Sequence, residues 1–242
     1  MNYFDAVFLP LQTSLPPFIE RIAHSFTRIN MKSLLLAMLK SSGVSIEVFF
    51  FTLLFSVPLA LVIMFGRISK MKVLSWITNV FMLIIRGTPL MLQLIFVYFA
   101  PAFIFGGRGM DRFTAAIVAM VINYAAYFAE IYRGGIQAIP VGQYEAAKVL
   151  GFDKRDTFFR IVLPQVVKRI IPAMGNEVIT LVKDTALVQV LGVAELFHVA
   201  QTQSGSLVST IPLFIAGVFY FIMNWGVSKI FDVVEKKLDY YK

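Results

Sequence analysis

The chain has 242 residues, of which 58% are hydrophobic and 15% charged, with a net charge of +8 and a mean hydropathy of +0.77. Soluble domains are nearer half apolar and a quarter charged, so this is the composition of an integral membrane protein. Cysteine is absent, which excludes disulfides and thiolate metal sites, and in so apolar a chain the positive charge points to membrane topology and anionic lipid rather than to nucleic acid.

Residues 1–42 open with MNYFDAVFLPLQTSLPPFIERIAHSF, without the basic start, apolar core and small-residue cleavage site of a signal peptide. Pro10, Pro16 and Pro17 break any long span there. Residues 31–40 are amphipathic, with Leu34, Leu35, Met38 and Leu39 on one side, and read as an interfacial helix closing an extracytoplasmic N-terminal segment. Residues 44–65 form the first span, since about 20 apolar residues cross a bilayer. This span holds Glu47 and Pro58, and Arg67, Lys70 and Lys72 follow it. Residues 73–105 are too long for one straight span and are interrupted at Arg86-Gly87-Thr88-Pro89. Thr88 suits a helix cap and Pro89 a first helical position, so a helix, a break and a second helix are expected. A turn at residues 106–109 follows.

Residues 113–139 form the third span, in which Glu130 and Arg133 stand three apart and can pair. Pro140 ends it. Residues 145–164, EAAKVLGFDKRDTFFRIVLP, are strongly polar and lie between two apolar segments. Ala146, Ala147, Val149, Leu150 and Phe152 make one side apolar. Glu145, Lys148, Lys154, Arg155, Asp156 and Arg160 make the other charged. Gly151 breaks the pattern and Pro164 closes it, so the run reads as two short amphipathic helices joined at a glycine. Between spans it is either a solvated connector or a surface element facing a soluble partner. Residues 166–193 form a fourth, unusually polar span with Asn176, Glu177, Lys183, Asp184 and Thr185. Residues 201–209 read as a small-residue external loop, and residues 211–231 as the fifth span, before a tail at 237–242.

Five spans place the termini on opposite sides of the membrane. Fourteen Lys and Arg fall on the side of residues 67–72, 133–169 and the C-terminal end, against six on the other side. The positive-inside rule then puts the N-terminus outside, and the 145–164 run and the C-terminus inside.

Glu145-Ala146-Ala147, Gly151 and Ile161-x-Leu163-Pro164 resemble the EAA motif of the membrane subunits of binding-protein-dependent ABC importers. Arg86-Gly87-Thr88-Pro89 with Gln93 resembles the RGTP-x-x-x-Q signature of the polar amino-acid permeases. Lys183-Asp184-Thr185-Ala186-Leu187 resembles their KDTSL segment, with Ala186 where serine is usual. The resemblance spans about residues 43–236 and implies an all-α type I importer fold in a bacterial plasma (inner) membrane. It also implies coupling helices at about residues 140–165, with Glu145, Ala146, Ala147, Gly151, Leu163 and Pro164 at an ATPase contact. The implied partners are a second permease subunit, identical or similar, two ATPase subunits that bind ATP and magnesium, and an external amino-acid-binding protein.

The chain has no phosphate-binding GxxxxGK[ST] loop, no HExxH and no GxSxG, so neither an ATP site of its own nor a catalytic residue is expected. His24 and His198 lie far apart and lack metal-ligand spacing. What remains is ionisable groups inside spans, which cost roughly 2.5–3.5 kcal/mol each and usually face a cavity or a partner. Arg86, fourteen residues past Lys72, lies roughly 21 Å along a helix, past the middle of a hydrocarbon core about 30 Å thick. Asp184 lies fourteen residues past Ile170, at similar depth. An amino-acid zwitterion needs a positive site for its carboxylate and an acceptor for its ammonium. Arg86, Thr88 and the helix start at the break suit the first. Gln93 offers an amide, and Glu47 or Asp184 suits the second. The alternative is that Arg86, Lys183, Asp184 and Glu47 pair among themselves. Glu47 sits at the outer edge if the first helix starts at Val44, and near mid-membrane if it starts near Leu34. An ion-coupled secondary carrier would also explain buried charges, but not the 145–164 run.

Overall fold

The computed structural model describes residues 30–106 and 109–238, and these are helical, with no strand among the described residues. In chain order they form α1 (Met31–Arg67), α2 (Lys72–Gly87), α3 (Leu90–Phe105), α4 (Arg112–Gln137) and α5 (Val141–Val149). Then come α6 (Lys154–Asp156), a π-helical run (Thr157–Val162), α7 (Leu163–Asp184), a 3-10 run (Thr185–Leu191), α8 (Leu196–Leu207) and α9 (Ile211–Leu238). Most of the N-terminal segment, the centre of the 106–109 turn and the end of the C-terminal tail lie outside the described residues.

The centre of the bundle is α4. Asp111 caps it, accepting from the backbone N–H of Thr114 at 3.0 Å and its hydroxyl at 3.1 Å, and these bonds hold the exposed carboxyl below the usual range. Tyr124, Phe128 and Met120 of α4 are fully buried, packed with Val48 of α1, Met82 of α2, Leu94 of α3 and Leu181 of α7. Its most extensive partner is α1. Ser45, Thr52, Ser56 and Ala60 are buried along α1, and Ala115, Ala116 and Ala119 along α4. Small side chains let two helices approach closely where no water drives them together.

α1 runs 37 residues without a break at residue 42, about 55 Å at 1.5 Å per residue. The interfacial helix expected at 31–40 is therefore its first part. Leu34 and Met38 bury against Leu196 and Ala200 of α8 and Ala216 of α9, so this stretch packs on protein. Residues 201–207, expected as loop, belong to α8, and the fifth span's helix extends to Leu238. Three described helices, α1, α4 and α9, are long and apolar enough to cross a membrane, or four spans if α2 and α3 count as one bent pair. The many polar residues of α7 keep it below that mark.

α2 and α3 meet at the expected break and are bent by 113°. Thr88, however, does not cap α3, whose N-terminus has no side-chain cap. Its hydroxyl turns back to donate to Ile84 O at 2.8 Å. Pro164 does not close the polar run either; it sits in the first turn of α7. Proline lacks an N–H and crowds the carbonyl four residues back. The wide turn just before it, in which Leu163 N–H reaches Phe158 O, accommodates both.

Candidate functional site

The last turn of α2 delivers Arg86 to α4. Its guanidinium lies 5.4 Å from the Tyr127 ring centre and 3.9 Å from Glu130 Oε2. Glu130 is already engaged by Arg133, one turn on, through Arg133 Nε at 3.1 Å and a second contact from Nη2. Arg133 also donates to Gln137. The Arg86 side chain is 41% exposed and that of Glu130 24%, so Arg86 keeps hydrogen-bonding capacity for a further anion. Asp184 does not pair with Arg86; its Oδ2 accepts from Tyr124 OH at 2.7 Å. Glu177, two turns before Asp184 on α7, stands within electrostatic range of Asp184 and Arg86. Helices α2, α4 and α7 thus bring Arg86, Tyr124, Tyr127, Glu130, Glu177 and Asp184 into one neighbourhood.

Gln93 holds the break. Its Nε2 is within reach of Ile85 O at 2.7 Å, Thr88 Oγ1 at 2.9 Å and Thr88 O at 3.1 Å. Its Oε1 accepts from Asn123 Nδ2 of α4 at 3.0 Å. The amide therefore satisfies carbonyls orphaned by the end of α2 and anchors the bend to the central helix. Thr88 and Gln93 lie beside Arg86 with their polar atoms engaged in this junction. Glu47 stands apart. It is exposed, near the middle of α1, and makes no hydrogen bond or ion pair to these groups among the described residues.

Glu145, Ala146 and Ala147 lie on α5, Leu163 and Pro164 in the first turn of α7. Ala147 turns inward at 1% exposure, whereas Val149 and Leu150 are 87% and 74% exposed. The helix ends in a Schellman turn, with Phe152 N–H donating to Ala147 O at 3.0 Å and Gly151 N–H to Lys148 O at 3.1 Å. Gly151 sits at φ +80°, a conformation open to glycine and costly by about 1–2 kcal/mol to other residues. Asp153 then caps α6, accepting from Asp156 N–H at 2.7 Å. The result is an exposed apolar tip with Lys148, Lys154 and Arg155 around it.

Residues 56–240 match the family of binding-protein-dependent transport system inner membrane components. The chain belongs to this family. It is 37% identical over 191 residues to the L-cystine transport system permease protein TcyB of Bacillus subtilis, covering 78% of this chain and 80% of the relative. It is 36% identical over 201 residues to the arginine transport system permease protein ArtQ of the same organism, covering 83% and 91%. It is 38% identical over 169 residues to the glutamine transport system permease protein GlnP of Escherichia coli, covering 68% and 77%. A crystal structure of an amino acid ABC transporter with histidines superposes with a TM-score of 0.79 and 32% identity, covering 86% of this chain and 96% of that one. The MetNI methionine ABC transporter, at 19% identity and a TM-score of 0.65, shares the fold.

This inner membrane component has a second polar centre that the sequence did not signal. Glu195 is fully buried. Oε1 accepts from His198 N–H at 2.6 Å, and Oε2 from Phe197 N–H at 2.7 Å, Tyr220 OH at 2.9 Å and Ser45 Oγ at 3.3 Å. Ser45 Oγ in turn accepts from Leu196 N–H at 3.2 Å. The first three amides of α8 are therefore satisfied by Glu195 and by α1. Glutamate is not among the favoured cap residues, and Ser45 lies 150 positions away, so no local pattern could reveal the cluster. Glu177 was legible only as one polar residue among several on α7; its placement near Arg86 needed the packing of α7 on α4.

Proposed function

We propose that the chain is the permease subunit of an ATP-driven importer of polar amino acids. The observation that carries this reading is the exposed apolar tip at Val149 and Leu150, set on the EAA-like residues and held by the Schellman turn at Gly151. An exposed apolar tip favours an interaction surface over a solvated connector, and it has the chemistry of a docking helix for a soluble subunit. Five membrane crossings, by α1, α2–α3, α4, α7 and α9, with the N-terminus outside, put this tip in the cytoplasm. Two permease subunits, identical or similar, would enclose the pathway above two ATPase subunits that bind ATP and magnesium. An external binding protein would deliver the amino acid. Closure of the ATPase pair would displace α5 and rock the spans between outward- and inward-facing states.

The same reading gives the polar face its role. Arg86 receives the substrate carboxylate, and Asp184 with Glu177 receives the ammonium. Thr88 and Gln93 act by holding the bend that presents Arg86. Relatives whose names specify cystine, arginine and glutamine share the zwitterion as a common element, which is what this arrangement would recognise.

The test is co-purification with the cognate ATPase and stimulation of its hydrolysis by binding protein and amino acid. Gly151→Asp puts a side chain and a charge at positive φ in the tip. It is expected to insert normally, bind the ATPase weakly and transport nothing; normal transport would reduce residues 145–164 to a connector. Because cysteine is absent, single cysteines report orientation cleanly. Those replacing Gly109 or Ser204 should label from outside in intact cells, and one replacing Asp153 should not.

A further inference from the structure

The segment carrying the exposed tip leaves the bundle at the end of α4 and re-enters it at the start of α7, and these two points are fastened to each other. Arg169 Nη1 of α7 donates to Ala138 O at 2.7 Å. Ala138 caps the C-terminus of α4, where carbonyls lack helical partners and a cation is favoured by the helix dipole. Beneath this bond, Ile139, Val162 and Val166 are buried together, with Ile136 and Ile170 packed on them. Gly135 permits the approach: a Cβ there would lie 2.2 Å from Ile170 Cγ2. Outside it, Gln165 Nε2 donates to Gln143 Oε1 of α5 at 3.3 Å and to Ile161 O at 2.9 Å.

We infer that Arg169 is a positioning residue for coupling: its bond to Ala138 makes α4 and α7 move as one when α5 is displaced. This rests on the importer reading above. A loop with free ends would dissipate a push from the ATPase in its own connections. A loop clamped at its neck delivers the push to both helices at once. Ala138 and Glu130 are eight residues apart on α4, as are Arg169 and Glu177 on α7, so the clamp stands about 12 Å along each helix from the polar face. Both acidic walls of the candidate substrate site would then shift together rather than shear past one another.

The measurement is the number of amino-acid molecules transported per ATP hydrolysed. The permease is reconstituted with its ATPase and binding protein in proteoliposomes and supplied with whichever of labelled cystine, arginine or glutamine the wild type accumulates. Arg169→Met keeps the aliphatic stem and removes the donors. It is expected to bind the ATPase and hydrolyse ATP as the wild type does, with a severalfold fall in transport per ATP. Arg169→Lys retains one cationic donor and is expected to restore much of the ratio. An unchanged ratio in Arg169→Met would overturn the inference, and so would lost ATPase binding, which would move Arg169 into the docking surface. Should Arg169→Met fail to accumulate, Gln165→Met removes the outer strut alone; a smaller fall in the ratio supports the clamp, and none overturns it. A wild-type chain that neither binds the ATPase nor supports hydrolysis would instead sink the importer reading itself.

Discussion

Two acidic centres in this molecule use the same chemistry to opposite ends. Glu195 is fully buried and accepts from two backbone amides, a tyrosine and a serine, so its acceptor sites are filled by α1, α8 and α9. Around Arg86 the groups are partly exposed, the Arg86–Glu130 contact is 3.9 Å long, and Asp184 is held by Tyr124 rather than by a cation. A saturated carboxylate has nothing left to offer a ligand and makes a junction. Incompletely paired charges beside a helix break retain capacity for one. What separates the two centres is hydrogen-bond saturation.

The largest effect is expected from Glu195→Ala. It strands amide and hydroxyl donors in the interior at about 1–3 kcal/mol each, so little folded protein should accumulate and what does should melt far below the wild type in detergent. Normal melting with lost transport would transfer Glu195 to the functional side. Gln93→Leu comes next. It leaves Asn123 Nδ2 and the Ile85 carbonyl without their partner, at a cost of about 1–3 kcal/mol, read as a lower melting temperature together with reduced transport. A variant that loses transport at full stability would show that Gln93 meets substrate directly. Tyr220→Phe removes a single bond to Glu195 and should cost about 1 kcal/mol, with transport retained. Arg86→Met should have the smallest effect on folding, under about 1 kcal/mol, because its ion pair is long and half-exposed. Yet it should abolish amino acid bound to the solubilised permease and depress transport. Strong destabilisation by Arg86→Met would make this centre a junction as well and erase the distinction.

Much of the architecture was legible in advance because membrane burial writes itself into local composition. The helix break at Gly87–Pro89, the Glu130–Arg133 pair and the glycine turn at Gly151 each depend on residues within a few positions of one another. The errors share a different cause. Thr88 looked like a cap for α3, but its hydroxyl donates to Ile84 O across the break and accepts from the Gln93 side-chain amide. Residues 201–207 are rich in glycine, serine and threonine, poor helix formers, and became helical because Leu196 and Ala200 bury against α1 and α9. Pro164 read as a terminator, and a π-helical turn ahead of it let the helix continue.

Amino-acid order alone points to a helical membrane protein of the binding-protein-dependent transport family and to the short runs that carry its polar chemistry. The membrane character follows from hydropathy, and the family from the likeness of short motifs to those of its members. Which charged groups meet which partners comes from the packing of the helices: Arg86 with Glu130 and Tyr127 instead of Asp184, Asp184 with Tyr124, Glu195 with Ser45, and Arg169 with the end of α4. Each of these contacts joins different helices, and its geometry is set by how small residues on α1 and α4 and glycines such as Gly135 let the helices approach. A side chain's partner in a low-dielectric interior depends on angstroms of interhelical packing, and no local pattern encodes that distance.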